Sequence, residues 1–305
     1  MEKKLSANAM LYSIGFVFML ACSVGAFFYG IEVGADRTES RYEAEKASAE
    51  AKKSVSPYQQ QDLVSFYHTV FLPYREFQNE WFSAVNKLSQ GESIDASSAF
   101  KELSNLAKNK ASEASSFNMQ NSPLLGEAQV AYIRSLKSFA DAASQAASSS
   151  KSAKGDELLQ LIAKEKNYIT ATAQSLTAQQ AYYDAMLKWS ASVNVEIPSE
   201  YKLSAKLDLA KWDTLPITVK NKLMADSLLS RKQITTFYPH DLTSRVDEFI
   251  ISGQAAKMKL GTVSQIVELL LDTDAVRSGD FADSHAKLYK KTLLPQLPFF
   301  SANAD

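Results

Sequence analysis

The chain has 305 residues, 46% of them hydrophobic and 22% charged, the balance of an ordinary folded protein long enough for two domains. Its 33 Lys and Arg against 34 Asp and Glu leave a net charge of −1, so it lacks the basic surplus with which a general nucleic-acid binder neutralises phosphates. A single cysteine excludes an intramolecular disulfide and a cysteine-based zinc cage, and 10 Gly with 8 Pro argue against a β-sandwich or a glycine-rich nucleotide fold.

The strongest signal comes first. Lys3 and Lys4 precede an uncharged stretch from Leu5 to Ile31, which Glu32 ends. That stretch exceeds the roughly 20 residues a helix needs to cross hydrocarbon, and it carries no polar stripe. Tyr12 and Tyr29 stand near its ends, where amphipathic rings favour the headgroup level. The lysines place the short side in the cytoplasm, so residues 1–9 read as a cytoplasmic stub and residues 10–34 as a single-pass signal anchor. The body beyond is then extracytoplasmic. Two processing alternatives use the same residues: lipidation at Cys22 after Leu20-Ala21, and cleavage after Val24-Gly25-Ala26. Neither changes the side of the membrane. Cys22, Ala26, Gly30 and Gly34 form a ladder of small residues every fourth position, a possible packing face for self-association in lipid.

Residues 35–56 mix Arg37, Glu39, Arg41, Glu43, Glu45, Lys46, Glu50, Lys52 and Lys53 with alanines and show no apolar stripe. This composition gives a solvated helical stalk or a tether. Residues 57–194 then read as long amphipathic helices. Leu63, Tyr67, Val70, Tyr74, Phe77, Trp81, Val85 and Leu88 recur at spacings of three and four, with Pro73 kinking or splitting the helix near Leu72. Gly91 stops it and Asp95 caps the next, where Phe100, Leu103, Ala107, Ala114 and Phe117 keep a stripe that Lys110 interrupts. Ser122-Pro123 opens a third helix through Leu125, Tyr132, Leu136, Phe139 and Ala143, with Ser122 as its cap. The Ala/Ser run from Ala142 to Ser152 reads as a weakly packed helix end and linker. After Gly155 and Asp156 a fourth, longest helix places Ile162, Ile169, Leu176 and Tyr183 seven apart, with a second row through Leu159, Ala173 and Leu187.

These patterns predict an all-α protein: the membrane helix, the stalk, an antiparallel four-helix-bundle-like domain, and a smaller helical domain over residues 195–305. The last part has shorter helices, punctuated by Pro216, Pro239, Gly253, Gly261, Gly279, Pro295 and Pro298.

Chemistry is scarce. Zinc, di-iron, calcium, phosphate-loop, dinucleotide and Gly-x-Ser-x-Gly spacings are missing, so no catalytic residue, metal or cofactor is assigned and the chain does not read as an enzyme. Of three histidines, His68 reads as a packed or surface residue, and His285, after Asp280 and Asp283 in a helix, as a member of a local ion pair. His240-Asp241 could pair an imidazole with an orienting carboxylate, but after Tyr238-Pro239 it also makes a helix start. Phe66, Tyr67, Phe71, Tyr74, Phe77, Trp81 and Phe82 supply ring area for a core, a ligand pocket or a partner surface. Phe299-Phe300 either docks on the body or meets a partner. The expected function is binding. A scaffold or accessory subunit of a bacterial envelope complex comes first, its partners being the bilayer and a membrane or envelope protein, with no nucleic acid. A ligand-binding or sensory module with a pocket in the bundle comes second, and an envelope hydrolase last. A reporter fused after Asp305 is expected to be active only outside the cytoplasm, and cytoplasmic activity of that fusion would overturn the orientation.

Overall fold

A computed structural model describes residues 57–119, 121–202, 204, 206–290 and 292–300, all of them within one compact unit spanning residues 56–305. The membrane segment, the stalk, and the ladder of Cys22, Ala26, Gly30 and Gly34 lie outside the described residues. Among the described residues no helix is long and apolar enough to cross a membrane.

The described chain is a helical bundle without strands; its one extended pairing is an isolated bridge between Asp208 and Thr262. Helix α1, Gln60–Phe66, passes through a π-helical turn, Tyr67–Phe71, into α2, Leu72–Ser89. Pro73 explains the turn. Proline offers no N–H to the carbonyl four residues back, and the chain absorbs the missing bond by widening rather than breaking. Buried residues therefore continue from Leu63 through Tyr67, Val70, Tyr74 and Phe77 to Trp81. Gly91 stops the helix at a φ of 71°, a left-handed conformation that costs glycine little.

Helix α3, Ala96–Ala114, starts at Asp95, whose carboxylate accepts from the Ser98 N–H at 3.1 Å. Lys110, the apparent flaw in its stripe, sits at the edge of the buried face and reaches Glu76 and Glu113. Phe117 does not join the stripe. The helix has ended by then, and the ring is 43% exposed.

Helix α4, Pro123–Ser149, begins as predicted with proline in its first turn, but Ser122 does not cap it. The Ser122 hydroxyl instead meets the Pro57 carbonyl and the Asp62 carboxylate, tying the start of α1 to the start of α4. The Ala/Ser run is corrected too. Ala142, Ala143, Ala146 and Ala147 are buried, and α4 continues through them. Small side chains let α3 approach closely enough for Ser104 and Ser97 to donate to the carbonyls of Ala140 and Ala147. As numbers rise along α3 they fall along α4, so the two helices are antiparallel.

The predicted fourth helix is two. Helix α5, Gly155–Lys164, ends at Glu165, whose ψ of 131° breaks the rod, and α6, Lys166–Val193, starts there with the Glu165 carboxylate accepting from the Tyr168 N–H at 2.7 Å. The break resets the helical phase. Ile162, Leu176 and Tyr183 remain buried, while Ile169 is 54% exposed and Ala173 is exposed. The sevenfold row is therefore not one seam. Ser135 donates to the Ala171 carbonyl, and Phe139 meets Tyr168, so α6 runs antiparallel to α4.

Beyond α6 the chain forms α7 (Leu209–Asp213), α8 (Ile217–Arg231), α9 (Pro239–Ile251), α10 (Gln254–Lys257), α11 (Val263–Asp272) and α12 (Asp280–Leu288), then a 3-10 turn at Pro298–Phe300. Helix α8 packs on α6, and α9 packs on α8, α11 and α12. Two apolar clusters result. The first fills the bundle and also takes in Ile217, Ala225, Phe281, Tyr289, Leu297 and Phe300; the second lies among α7, α8, α9 and α11 and takes Leu176 and Leu187 from α6.

Leu176→Asp would bury an unpaired charge at a site only 3% exposed, and is expected to cost several kcal/mol and sharply lower the thermal midpoint. Ile169→Asp, on the solvent side of the same helix, should stay within about 0.5 kcal/mol of wild type. Equal melting of the two variants would refute this phase assignment.

Candidate functional site

The reactive residues converge where the C-terminal segment meets the bundle. Pro239 occupies the first turn of α9, and Asp241 reaches back to accept from the Tyr238 N–H at 2.8 Å, as a helix start at this position requires. Its other oxygen accepts from the Phe281 N–H at 3.0 Å, which anchors the start of α12. Both carboxylate oxygens are thus engaged by main-chain donors.

His240 is fully enclosed, with its Nδ1 2.8 Å from the Tyr183 hydroxyl. Burial holds the Tyr183 hydroxyl protonated, far above its usual range. Burial, reinforced by Arg75, pushes the imidazole well below 6.5 and keeps it neutral. Three near-parallel rings stack here: Phe299 lies 4.7 Å from His240, and Tyr238 lies 5.1 Å from His240 and 5.3 Å from Phe299. The Arg75 guanidinium covers Tyr238 at 4.3 Å and donates to the Thr236 carbonyl and to Gln78. Burial raises the Asp241 carboxyl from 3.8 to about 6, against the two main-chain donors. His240 and Asp241 are neighbours in sequence, but each is bonded to other groups, and the ring is sealed from solvent.

A second buried polar group went unnoticed in the sequence. Asp247 accepts from Trp212 Nε1 at 2.6 Å, from Lys220 Nζ at 2.9 Å and from the Tyr289 hydroxyl at 2.6 Å. One signal was legible: Lys220 stands three residues after Ile217 and three before Leu223, on the apolar face of α8. A lysine there needs a buried partner.

The predicted aromatic set lies mostly inside. Phe66, Tyr67, Phe71, Tyr74, Phe77 and Trp81 are buried, and Phe82 is half-buried. Their rings meet those of α4 and α6, Tyr74 at 4.4 Å from Tyr132, Phe77 at 5.1 Å from Phe139, and Phe66 at 4.6 Å from Tyr182. His68 is exposed, and His285 packs beside Phe281. Phe299 and Phe300 dock on the body.

An opening on the bundle lies at its surface. A groove of about 1070 Å³ runs between the end of α3, the start of α4 and the middle of α6. Phe117, Pro123, Val130 and Ile133 give it an apolar floor, with Glu127 and Arg134 also lining it. Gln129 donates to the carbonyls of Ala114 and Phe117, which closes the end of α3 and shapes one wall. No group of three or more potential metal-ligating side chains occurs among the described residues. Comparisons with protein-family models, with curated proteins and with solved structures returned no match.

The two buried groups oppose each other in acid. His240 contributes stability that is present above 6.5 and lost as the pH falls, because the unfolded chain takes the proton first. Asp241 does the reverse: its contribution is fully present below 3.8 and is lost as the pH rises through about 6. Relative to wild type, Asp241→Asn should therefore lose on the order of 2 kcal/mol more between pH 7 and pH 4, from about 1.4 kcal/mol per unit. His240→Gln should gain relative to wild type over the same range. Denaturant unfolding at several pH values measures both, and differences that do not change with pH would refute the assignment.

Proposed function

We propose that the chain is a single-pass, membrane-anchored extracytoplasmic protein that works by binding, as a scaffold or accessory subunit of an envelope complex. The anchor rests on the uncharged run from Leu5 to Ile31 behind Lys3 and Lys4, and the stalk on the charged segment after it. In this reading the bundle over residues 57–194 presents the binding surface, and residues 195–305 brace it.

One observation carries the choice of binding surface over internal pocket. The aromatic residues of α1 and α2 fill the bundle interior against Tyr132, Phe139 and Tyr182, while Phe117 and Val130 stand 43% and 47% exposed in an open groove. Exposed apolar side chains gathered in a groove with charged residues on its walls suit a protein segment. The fitting segment has an apolar contact side, with an acidic group for Arg134 and a basic one for Glu127. The second reading, a ligand-binding module, would use this same groove, since its volume is ample for a small amphiphile.

The test compares two variants of the full chain in the native membrane. Phe117→Asp with Val130→Asp changes only exposed positions, so the fold should hold within about 1 kcal/mol. It is expected to abolish retention of a partner and to leave the deletion phenotype uncorrected. A chain released by removing residues 1–54 should also fail, because anchoring keeps the concentration near a membrane partner high. Full correction of the phenotype by both variants would refute binding at the membrane.

A further inference from the structure

Two cations are buried among the described residues, and their surroundings differ. Lys220, 7% exposed, lies 2.9 Å from the Asp247 carboxylate. Arg75, 5% exposed, forms no ion pair with a described residue, and every acceptor it reaches is neutral. Its Nη1 donates to Gln78 Oε1 at 2.6 Å and to the Thr235 carbonyl at 3.4 Å, and its Nη2 donates to the Thr236 carbonyl at 2.7 Å. One face of the guanidinium lies on the Tyr238 ring, 4.3 Å from its centre. Nε is buried and has no partner among the described residues. The Asp241 carboxyl feels the charge of Arg75, but both its oxygens are taken by the N–H groups of Tyr238 and Phe281.

A desolvated guanidinium without an anion is costly, and carbonyl dipoles and a ring face return only part of what is lost. The open part of Arg75 is an edge. Tyr238 covers a face, whereas Nε–H and one N–H of Nη2 point the same way as a parallel pair, the edge that a carboxylate or phosphate takes with two oxygens. What now sits at Nη2 is the carbonyl of an exposed residue, Thr236, in the connection between α8 and α9. In that connection the main-chain N–H groups of Ile234, Thr235, Thr236 and Phe237 make no hydrogen bond to described residues. Successive uncommitted N–H donors beside a cation are the components of an anion-binding loop.

We infer that Arg75 and the 233–237 connection form a binding site for one small oxyanion, a carboxylate or phosphate group, which replaces the Thr236 carbonyl at the Nη2–Nε edge. Gln78 and Tyr238 hold the plane of the guanidinium, so the edge is oriented before the anion arrives. The loop supplies N–H donors, and Arg75 supplies the charge. The inference does not depend on membrane anchoring or on the surface groove.

The full chain, in a neutral detergent and a chloride solution of fixed ionic strength, is titrated with inorganic phosphate and separately with acetate while its thermal midpoint is followed. The expected result is a rise that saturates, as binding to the folded state requires. A response to one anion only assigns the oxyanion and keeps the site. Arg75→Lys retains the charge without the paired edge, and should weaken the apparent affinity roughly tenfold or more. Because Arg75 is buried and its replacement can unfold the chain, an exposed position provides the second arm. Thr236→Glu places a carboxylate of the chain's own beside the edge, and Thr236→Gln is its neutral control. Thr236→Glu should melt above the control without added anion and should no longer respond to phosphate, while Thr236→Gln responds as wild type does. An unsaturating rise of equal size in wild type and both Thr236 variants is the general effect of phosphate on burial, and it overturns the site. So does a wild-type chain that responds to neither anion, a folded Arg75→Lys variant with unchanged affinity, or a Thr236→Glu variant that responds as wild type does.

Discussion

Helix α6 is buried on two sides, and the rest of the described structure depends on that. Ala171, Ala178, Tyr182, Tyr183, Ala185, Met186 and Trp189 belong to the bundle cluster, whereas Leu176 and Leu187 belong to the cluster beneath α8 and α9. A helix with one dry face needs a single stripe, but a helix with two cannot show a clean one. Alanine and serine let α4 approach on one side, as Ser135 does in reaching the Ala171 carbonyl. Large residues then fill the gaps left elsewhere. The cost of disturbing α6 is accordingly shared by both clusters.

Helix α9 has a comparable role for the C-terminal region, through polar rather than apolar contacts. Asp241 holds the start of α12 through Phe281, Asp247 holds its far end through Tyr289, and the His240 ring stacks on Phe299 of the segment beyond. Three polar residues along one helix thus fix successive points of one stretch of chain. Buried polar groups are costly when unpaired and demanding about geometry when paired, so they choose one arrangement where apolar packing alone would accept several. The neutral His240 and the raised Asp241 follow from the same burial.

The interior of the bundle is occupied by its own rings, and its open groove lies on the surface. The groove exists because α3 ends at Ala114 and leaves Phe117 behind, and because Gln129 is committed to closing that helix end. A polar residue engaged in capping leaves its apolar neighbours, Val130 among them, exposed.

Local physics determined much of what the sequence made legible. The stripe from Leu63 to Leu88, the stop at Gly91, the cap at Asp95 and the start at Pro239 each depend on a few neighbouring residues, and each is readable from them. The irregular punctuation after residue 195 likewise announced short helices. Other features depended on partners distant in sequence. Glu165 breaks a sevenfold row that reads as continuous, because its own carboxylate caps the second half and both halves then pack at different phases. The run of alanines and serines became core only because α3 supplied a close neighbour. His240 and Asp241, adjacent in the chain, received unrelated partners from α6, α12 and the C-terminal segment. Composition and spacing determined that this stretch would be helical and where several of its helices begin; only tertiary packing decided which faces would be dry, because burial of a side chain belongs to the pair of surfaces that meet and not to either sequence alone.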